Sequence, residues 1–231
     1  MQIAIIGNGK MGTAAAAIAQ ERGHIIQTLI RRAENADGQA LTAERLRGVD
    51  VAVEFTRPDC VVRNLERLSE LGIPTVTGTT GWADELPRVS HWFRQRRGAL
   101  LHAANFAVGV HLFLRAAREM ARAFRGRSEF SDSIEEEHHQ SKLDAPSGTA
   151  LLLQGQLRTE DQERNFPISS ARLGDALGTH TLNYQGPYET VTLRHTTQSR
   201  KTFAVGAISA AEWLPGHEGV FTFEQMLFGP S

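Results

Sequence analysis

The sequence predicts an α/β protein of two domains, and three observations predict it. A short apolar run, Gln2 to Ile6, leads into Gly7-Asn8-Gly9-Lys10-Met11-Gly12 and then into a small-residue, helix-favouring segment. From there to residue 102, short apolar runs alternate with segments of helical period, the pattern of a parallel sheet. From Arg172 the chain turns strand-rich, with alternating runs at 180–184 and 190–195 around Gln185-Gly186-Pro187. We therefore expect a Rossmann-like dinucleotide-binding domain over residues 1–106, rejoined by 207–231. A second, mixed α/β domain is expected over 107–206.

The bounds agree. The chain has 231 residues, 41% apolar and 22% charged, with a formal charge of -1. That is enough chain for a real core and gives no global field to attract nucleic acid or an anionic membrane. No apolar run approaches the roughly 18 residues of a membrane span. Cys60 is the only cysteine, which rules out an intrachain disulfide and suits a reducing compartment as a small buried hydrophobe. Met1-Gln2 runs straight into the first apolar segment without a basic start, so we expect no signal peptide and a cytoplasmic location.

Taken in order, Gly7, Gly9 and Gly12 fit G-x-G-x-x-G between a strand and a helix over 11–20. Glycine lets backbone approach a pyrophosphate, and the first N–H groups of the helix bind it. The alternative is a glycine-rich turn of an ordinary α/β unit. Ile25 to Ile30 is the second strand. A site for NAD usually carries an acidic residue near its end to hold the ribose 2′-hydroxyl. Here Arg31 and Arg32 follow instead. Their planar donors suit a 2′-phosphate, so NADPH is expected in preference to NADH, with Lys10 adding charge. Otherwise they are solvated loop charges.

Asp50 to Thr56 is the third strand, Asp59 to Leu71 a helix, Pro74 to Thr77 a strand, Ala83 to Arg97 a helix and Leu100 to His102 a strand. Ligands of parallel sheets sit at the C-terminal strand ends. Phe55-Thr56, Gly78-Thr79-Thr80 and Ala103-Ala104-Asn105-Phe106 fall there, unless they are ordinary turn residues. Val108 to Phe124 is an amphipathic helix that offers Val110, Leu112, Phe113, Leu114, Ala117 and Met120 for packing.

The second half carries the chemistry. Asp132 to His139 is expected as a strand. His138 and His139 would then face opposite ways unless the strand ends irregularly. The acidic run Glu135 to Glu137 is expected to raise the histidine pKa. Ser147 is an N-cap candidate ahead of an apolar helix. Gly148 and Thr149 then offer N–H groups, and Thr149 a hydroxyl, to a carboxylate or phosphate, with Lys142 close in sequence. This set points to proton transfer on an anionic substrate. The competing readings are a core histidine, a plain helix cap, or a metal site. A metal is not expected, because H-E-x-x-H and cysteine ligands are absent. Arg172 opens the strand-rich section. Ser199-Arg200-Lys201 opens a helix through Trp213, with Arg200 a candidate for a second carboxylate or else a solvated charge. Gly219 to Phe223 is a closing strand that returns to the first sheet.

The stretch HHQSKLDAPSGTA, His138 to Ala150, resembles the active-site signature of the 4-hydroxy-tetrahydrodipicolinate (dihydrodipicolinate) reductase family. The likeness runs through GNGKMG, DVAVEFTRPD, TGTTGW, AANFAVGV, ARLGDALGTHT, HTTQSRKTFAVGAISAAEWL and GVFTFEQML, in order. It implies NAD(P)H-dependent reduction of a cyclic dicarboxylate in diaminopimelate and lysine biosynthesis, by a homotetramer assembled through the second domain. It implies His138 as acid/base and Lys142 as proton donor. His139, Gly148 and Thr149 would hold carboxylates. Gly78, Thr79, Thr80 and Ala103 to Phe106 would line the nicotinamide end. Ile30 stands where many members carry an acidic residue, which favours NADPH. Gln140-Ser141 replaces a more basic pair. The rivals are a related reductase of another imine or keto acid and a non-catalytic NADP-sensing protein.

Overall fold

The computed structural model describes residues 1–35 and 37–229. Ala36, and residues 230 and 231 of the expected returning segment, lie outside the described residues. The chain divides into two compact units, residues 1–107 with 201–231, and residues 108–200.

The first unit is built on six parallel strands, β1 (Gln2–Ile6), β2 (Ile25–Ile30), β3 (Val51–Glu54), β4 (Thr75–Thr77), β5 (Ala99–His102) and β10 (Gly219–Thr222), in the order β10-β5-β4-β3-β1-β2. The closing strand does return to this sheet, pairing Gly219 with Ala99 through Thr222 with His102. Buried on both faces, β1 and β3 are apolar almost throughout, as a covered parallel sheet requires. Helices α1 (Lys10–Glu21), α2 (Pro58–Glu70) and α3 (Leu86–Gln95) follow β1, β3 and β4. Pro58 begins α2 at N1, where its missing N–H costs nothing. Gly23 and Gly72, at φ +79° and +67°, end α1 and α2 in the left-handed region. Val61, Leu65, Trp82, Val89, Phe93 and Leu100 form one apolar cluster of this unit.

Two features of this unit stand out. The β2-to-β3 connection contains no α-helix among the described residues. It runs through turns whose Leu41, Leu46 and Val49 still enter the core against Ile6 and Ile30. Helix α6 (Lys201–Trp213) also belongs wholly to the first unit, so residues 201–206 do not stay with the second domain. The reason is packing. Ala204, Gly206, Ala207, Ala210 and Ala211 are buried, and a Cβ at Gly206 would overlap the Phe106 carbonyl.

The second unit is a four-stranded sheet in the order β7-β6-β8-β9, with helices α4 (Val108–Phe124) and α5 (Gly148–Glu160) packed together. The strands are β6 (Ser131–His138), β7 (Ile168–Arg172), β8 (Thr179–Gln185) and β9 (Thr190–Thr196). The β6–β7 pair is parallel and the other two pairs are antiparallel. Strand β7 was not expected, and Arg172 ends it rather than opening a strand. Phe124 stacks on Tyr184 at 4.1 Å, and Phe166 meets the same ring edge-on. In α4, Val110, Phe113, Leu114 and Ala117 are buried, but Leu112 is half exposed and is not a core residue. The short α7 (Phe223–Phe228) closes the chain, capped reciprocally by Thr222 and Gln225.

Candidate active site

The glycine turn between β1 and α1 is shaped by close approach. Gly7, at φ +100°, donates to the Ile30 carbonyl at 2.9 Å, and a Cβ on it would overlap the Phe55 carbonyl. A Cβ at Gly12 would overlap the Gly7 carbonyl. Gly9 is different: a Cβ there meets nothing and would project into open space. That is the geometry a pyrophosphate needs, with two glycines closing the turn and a third leaving the helix N-terminus uncovered. We expect Gly12→Ala to abolish dinucleotide binding, read by fluorescence titration with reduced nicotinamide dinucleotides, because the turn cannot close around a methyl group.

The cleft at these strand ends is lined by Gly7, Asn8 and Gly9 from the turn, by Ile30, Arg31 and Arg32 from the end of β2, and by Phe55 and Thr56 from the end of β3. Arg31 and Arg32 are exposed on it. Lys10 and Met11 stand on the first turn of α1, outside this lining. Asn35, Arg57 and Cys60 do line it, and sequence reasoning missed all three. Cys60 is half-buried, not the buried hydrophobe expected.

A second pocket of the same unit is lined by Thr79, Thr80, Trp82, His102, Ala103 and Ala104. The 78–80 turn is pinned from below by Glu54, a fully buried carboxylate. It accepts from Thr77 Oγ1 at 2.6 Å and Thr79 Oγ1 at 2.8 Å, and also binds the Thr56 hydroxyl. Burial pushes its pKa up, and the hydroxyl bonds and Asn64 only partly oppose this. Gly78 and Phe106 are structural neighbours here. A Cβ at Gly78 would strike the Phe55 ring, which meets Phe106 edge-on. Phe106 is only 2% exposed, so it holds the 103–106 turn instead of facing a ligand. Asn105 Oδ1 accepts from the Ala107 N–H at 2.8 Å and tightens the same turn.

In the second unit, β6 ends at His138, so the two histidines diverge as the strand stops. His138 turns inward and is 7% exposed. Its Nδ1 lies 2.8 Å from Glu136 Oε2, off the direction of an aligned hydrogen bond. Burial pushes the His138 pKa down, and the Glu136 charge is too weak to reverse it. The acidic neighbours therefore do not raise it, contrary to expectation, because desolvation is the larger effect. His139 is half-buried, bonds Ser141 Oγ at 2.8 Å, and lines a pocket with Gln140, Asp175 and Arg200.

Ser147 caps α5 as expected, accepting from the Ala150 N–H at 3.2 Å. Its hydroxyl also meets His180 Nε2 at 3.2 Å, and the residue is 2% exposed. It braces the turn from behind and does not present its hydroxyl to a ligand. Gly148 is exposed and Thr149 half-buried at the open helix end. A carboxylate already sits there. Asp144 accepts from Lys142 Nζ at 2.7 and 2.9 Å and from the Gly148 N–H, and these contacts hold its pKa down, the lysine contact most. The helix N-terminus and Lys142 thus converge on one carboxylate of the chain itself.

Behind these residues a row of polar side chains crosses the sheet, with Glu136 and His180 buried at its centre, His195 half-buried and Ser170 exposed at its edge. Register aligns Ser170, Glu136, His180 and His195 on successive strands. Burial would raise the Glu136 pKa, but bonds from Ser147, Ser170 and Arg172 outweigh it and hold the carboxyl at about 2. His180 is pushed down to about 4, chiefly by burial. Glu136, His138 and His180 bring ligand atoms within 4.8 Å of one another. The Arg172 guanidinium on Glu136 supplies the compensating charge there, and we assign no metal to the cluster.

Fold and cleft together define the class: an α/β protein of the Rossmann-like, dinucleotide-binding kind. Residues 1–106 match the family model for the N-terminus of dihydrodipicolinate reductase, and residues 109–227 the model for its C-terminus. A 4-hydroxy-tetrahydrodipicolinate reductase of Christiangramia forsetii is 34% identical over 98% of both chains. One of Bdellovibrio bacteriovorus is 30% identical over 100% of this chain and 98% of its own. A solved dipicolinate-bound dihydrodipicolinate reductase from Paenisporosarcina sp. TG-14 shares the fold with a TM-score of 0.82, at 23% identity, over 98% of this chain and 99% of that one. The chain belongs to the dihydrodipicolinate reductase family, whose members use a nicotinamide dinucleotide.

Proposed function

We propose that this protein is an NAD(P)H-dependent 4-hydroxy-tetrahydrodipicolinate reductase of diaminopimelate and lysine biosynthesis. The observation that carries the reading is the carboxylate cradle at the start of α5, with Lys142 and His138 beside it. When bound, the dihydronicotinamide supplies the hydride. The residues of this chain hold the substrate and move the proton. Gly148 and Thr149 take one ring carboxylate in place of Asp144, and His139 and Arg200 take the other. Ser147 acts through its cap. Fixed donors on both carboxylates orient the ring and remove much of the entropic cost of reaction. Hydride arrival builds negative charge on the conjugated ring, and a nearby proton donor lowers that barrier. Lys142 is the charged donor. His138 completes acid/base exchange once the bound dicarboxylate opposes the effect of burial on its pKa.

The glycine turn from Gly7 to Gly12 would receive the pyrophosphate. Thr79, Thr80, Ala103 and Ala104 would line the nicotinamide end, with Glu54, Phe55, Asn105 and Phe106 supporting them. Arg31 and Arg32 are assigned to the 2′-phosphate, which makes NADPH the preferred cofactor. The support is their exposure on the cleft together with an apolar Ile30 where NAD sites carry an acid. A homotetramer is assigned to the second unit, supported by the exposed Tyr188 and Val191 at the β8–β9 hairpin, and a cytoplasmic location by the lone Cys60.

The test is coupled turnover. The substrate is generated in situ by the preceding synthase, and oxidation of NADPH and NADH is followed in parallel. Oxidation establishes the reaction, whereas none from folded, NADPH-binding protein rejects it. Arg31→Ala should raise KM for NADPH by roughly tenfold with little change for NADH, since only the charge-assisted phosphate bonds are lost. Equal losses would refute the 2′-phosphate assignment. Thr149→Val should raise the substrate KM several-fold and spare kcat, the signature of lost ground-state binding.

A further inference from the structure

The buried carboxylate of Glu136 has no part in the scheme above, yet it touches both halves of the site. Its residue is 1% exposed, on a strand position facing the interior. Oε2 stands 2.8 Å from His138 Nδ1 as a close charge contact, short of an aligned hydrogen bond. Oε1 accepts from the Ser147 N–H at 3.1 Å and from Arg172 Nη2 at 3.2 Å. The same guanidinium reaches the carbonyls of Asp144 at 2.5 Å and, through Nε, of Lys142 at 3.4 Å.

We propose that Glu136 is a positioning residue for the proton-transfer step, orienting the His138 ring through Nδ1 with one oxygen and anchoring the Ser147 turn with the other. The proposal rests on the acid/base assignment of His138. A histidine that exchanges protons must present one nitrogen in a defined tautomer, and a partner on the other nitrogen sets it. With Nδ1 turned to Glu136, Nε2 is the exchanging atom. Gly178, at φ +142°, carries no side chain against that edge, where a Cβ would stand 3.0 Å from Nε2. Glu136 also balances the imidazolium that forms when Nε2 takes a proton. Arg172, tied to the same carboxylate, keeps it ionised and holds the backbone of the Lys142–Asp144 segment. A single acid thus couples the ring that moves the proton to the turn that binds the carboxylate.

The charged and titratable groups around His138 are Glu136 on its own strand, Lys142 and Asp144 on the loop, Arg172 on β7 and His180 on β8. Glu136→Gln preserves the shape and the acceptor for Ser147 and Arg172 but removes the charge. We expect kcat to fall roughly 10- to 100-fold, part of the usual worth of a placed acid/base group. KM for the substrate and the dissociation constant of NADPH should hold within about threefold, since no binding group is removed. The basic limb of the kcat profile should move to lower pH, and Glu136→Asp, which keeps the charge, should restore its position. A brace that served only the fold would move neither limb. Unchanged kcat and limb in folded Glu136→Gln protein overturn the proposal. The wild-type enzyme gives a second reading that needs no variant. Nitrogen-15 NMR of labelled histidine should find neutral His138 protonated at Nδ1, and a proton on Nε2 overturns the proposal. Near-normal turnover of His138→Ala removes the acid/base assignment and this proposal with it. Impaired His138→Ala beside normal Glu136→Gln removes the positioning role alone.

Discussion

Replacing His138 with alanine lowers kcat by roughly 10²–10⁴-fold, the range for loss of a placed acid or base, and leaves the affinity for NADPH unchanged. The cofactor arm of the expectation follows from the fold: the glycine turn and the cleft are built entirely by residues of the first unit, and His138 is in the second. The turnover arm follows from the local geometry. His138 is buried at the end of β6, faces the Glu136 carboxylate at 2.8 Å, and stands near the Lys142–Asp144 pair ahead of α5. Removal leaves Lys142 as the remaining proton donor, so some residual rate survives, and His138→Ala with Lys142→Ala together should cost far less than the product of the two single losses. Steady-state turnover with in situ substrate and a parallel cofactor titration decide the matter. Wild-type turnover would take His138 out of the chemistry, and a matching loss of NADPH affinity would point to misfolding instead.

Much of this arrangement is legible in the sequence, and the reasons differ by region. The strand, turn and helix around Gly7 to Gly12 follow from local rules, because glycine spacing and small-residue helices declare themselves in sequence. Ser147 as a cap is legible for the same reason. Strand β7 was not, since Ile168-Ser-Ser-Ala-Arg172 lacks alternating apolar residues and its partly exposed edge position asks for none. The boundary within 201–206 failed because Gly206 and its alanine neighbours form one close-packed face that cannot be divided in the middle of a helix. Glu136 resembled one of three solvated charges in a run. Its importance arises from register, which sets it opposite His180 and beside Ser170, and register is a long-range property that no local pattern carries. The direction of the His138 shift was misjudged for a related reason: neighbouring charges are visible in sequence, whereas the burial that outweighs them is not.

Desolvated histidines make folding stability fall in acid, and His180 should dominate that loss. Its pKa is pushed down to about 4 from the usual 6.5, mainly by burial, with the His138 charge adding to it. The unfolded chain takes up a proton as pH falls below 6.5, while folded His180 resists until about 4. Its stabilising contribution is therefore complete above the higher value and is lost through that window, amounting to on the order of 3 kcal/mol at the acid end. His102, His138 and His195 are shifted in the same direction by burial and add to the slope. Glu136 does not act in this range. Its carboxyl is held at about 2, against an ordinary 4.5, so its contribution disappears only in stronger acid. His180→Gln isolates the effect, because an amide keeps a polar partner for Ser147 and cannot titrate. Urea unfolding at about pH 7 and about pH 4.5 should show the wild type losing on the order of 2–3 kcal/mol more than the variant. The variant should begin less stable at neutral pH, since the Ser147 contact is remade imperfectly, yet fall less steeply. Equal slopes would mean that His180 takes its proton without unfolding the sheet, and that the row from Ser170 to His195 tolerates a positive charge beside Glu136.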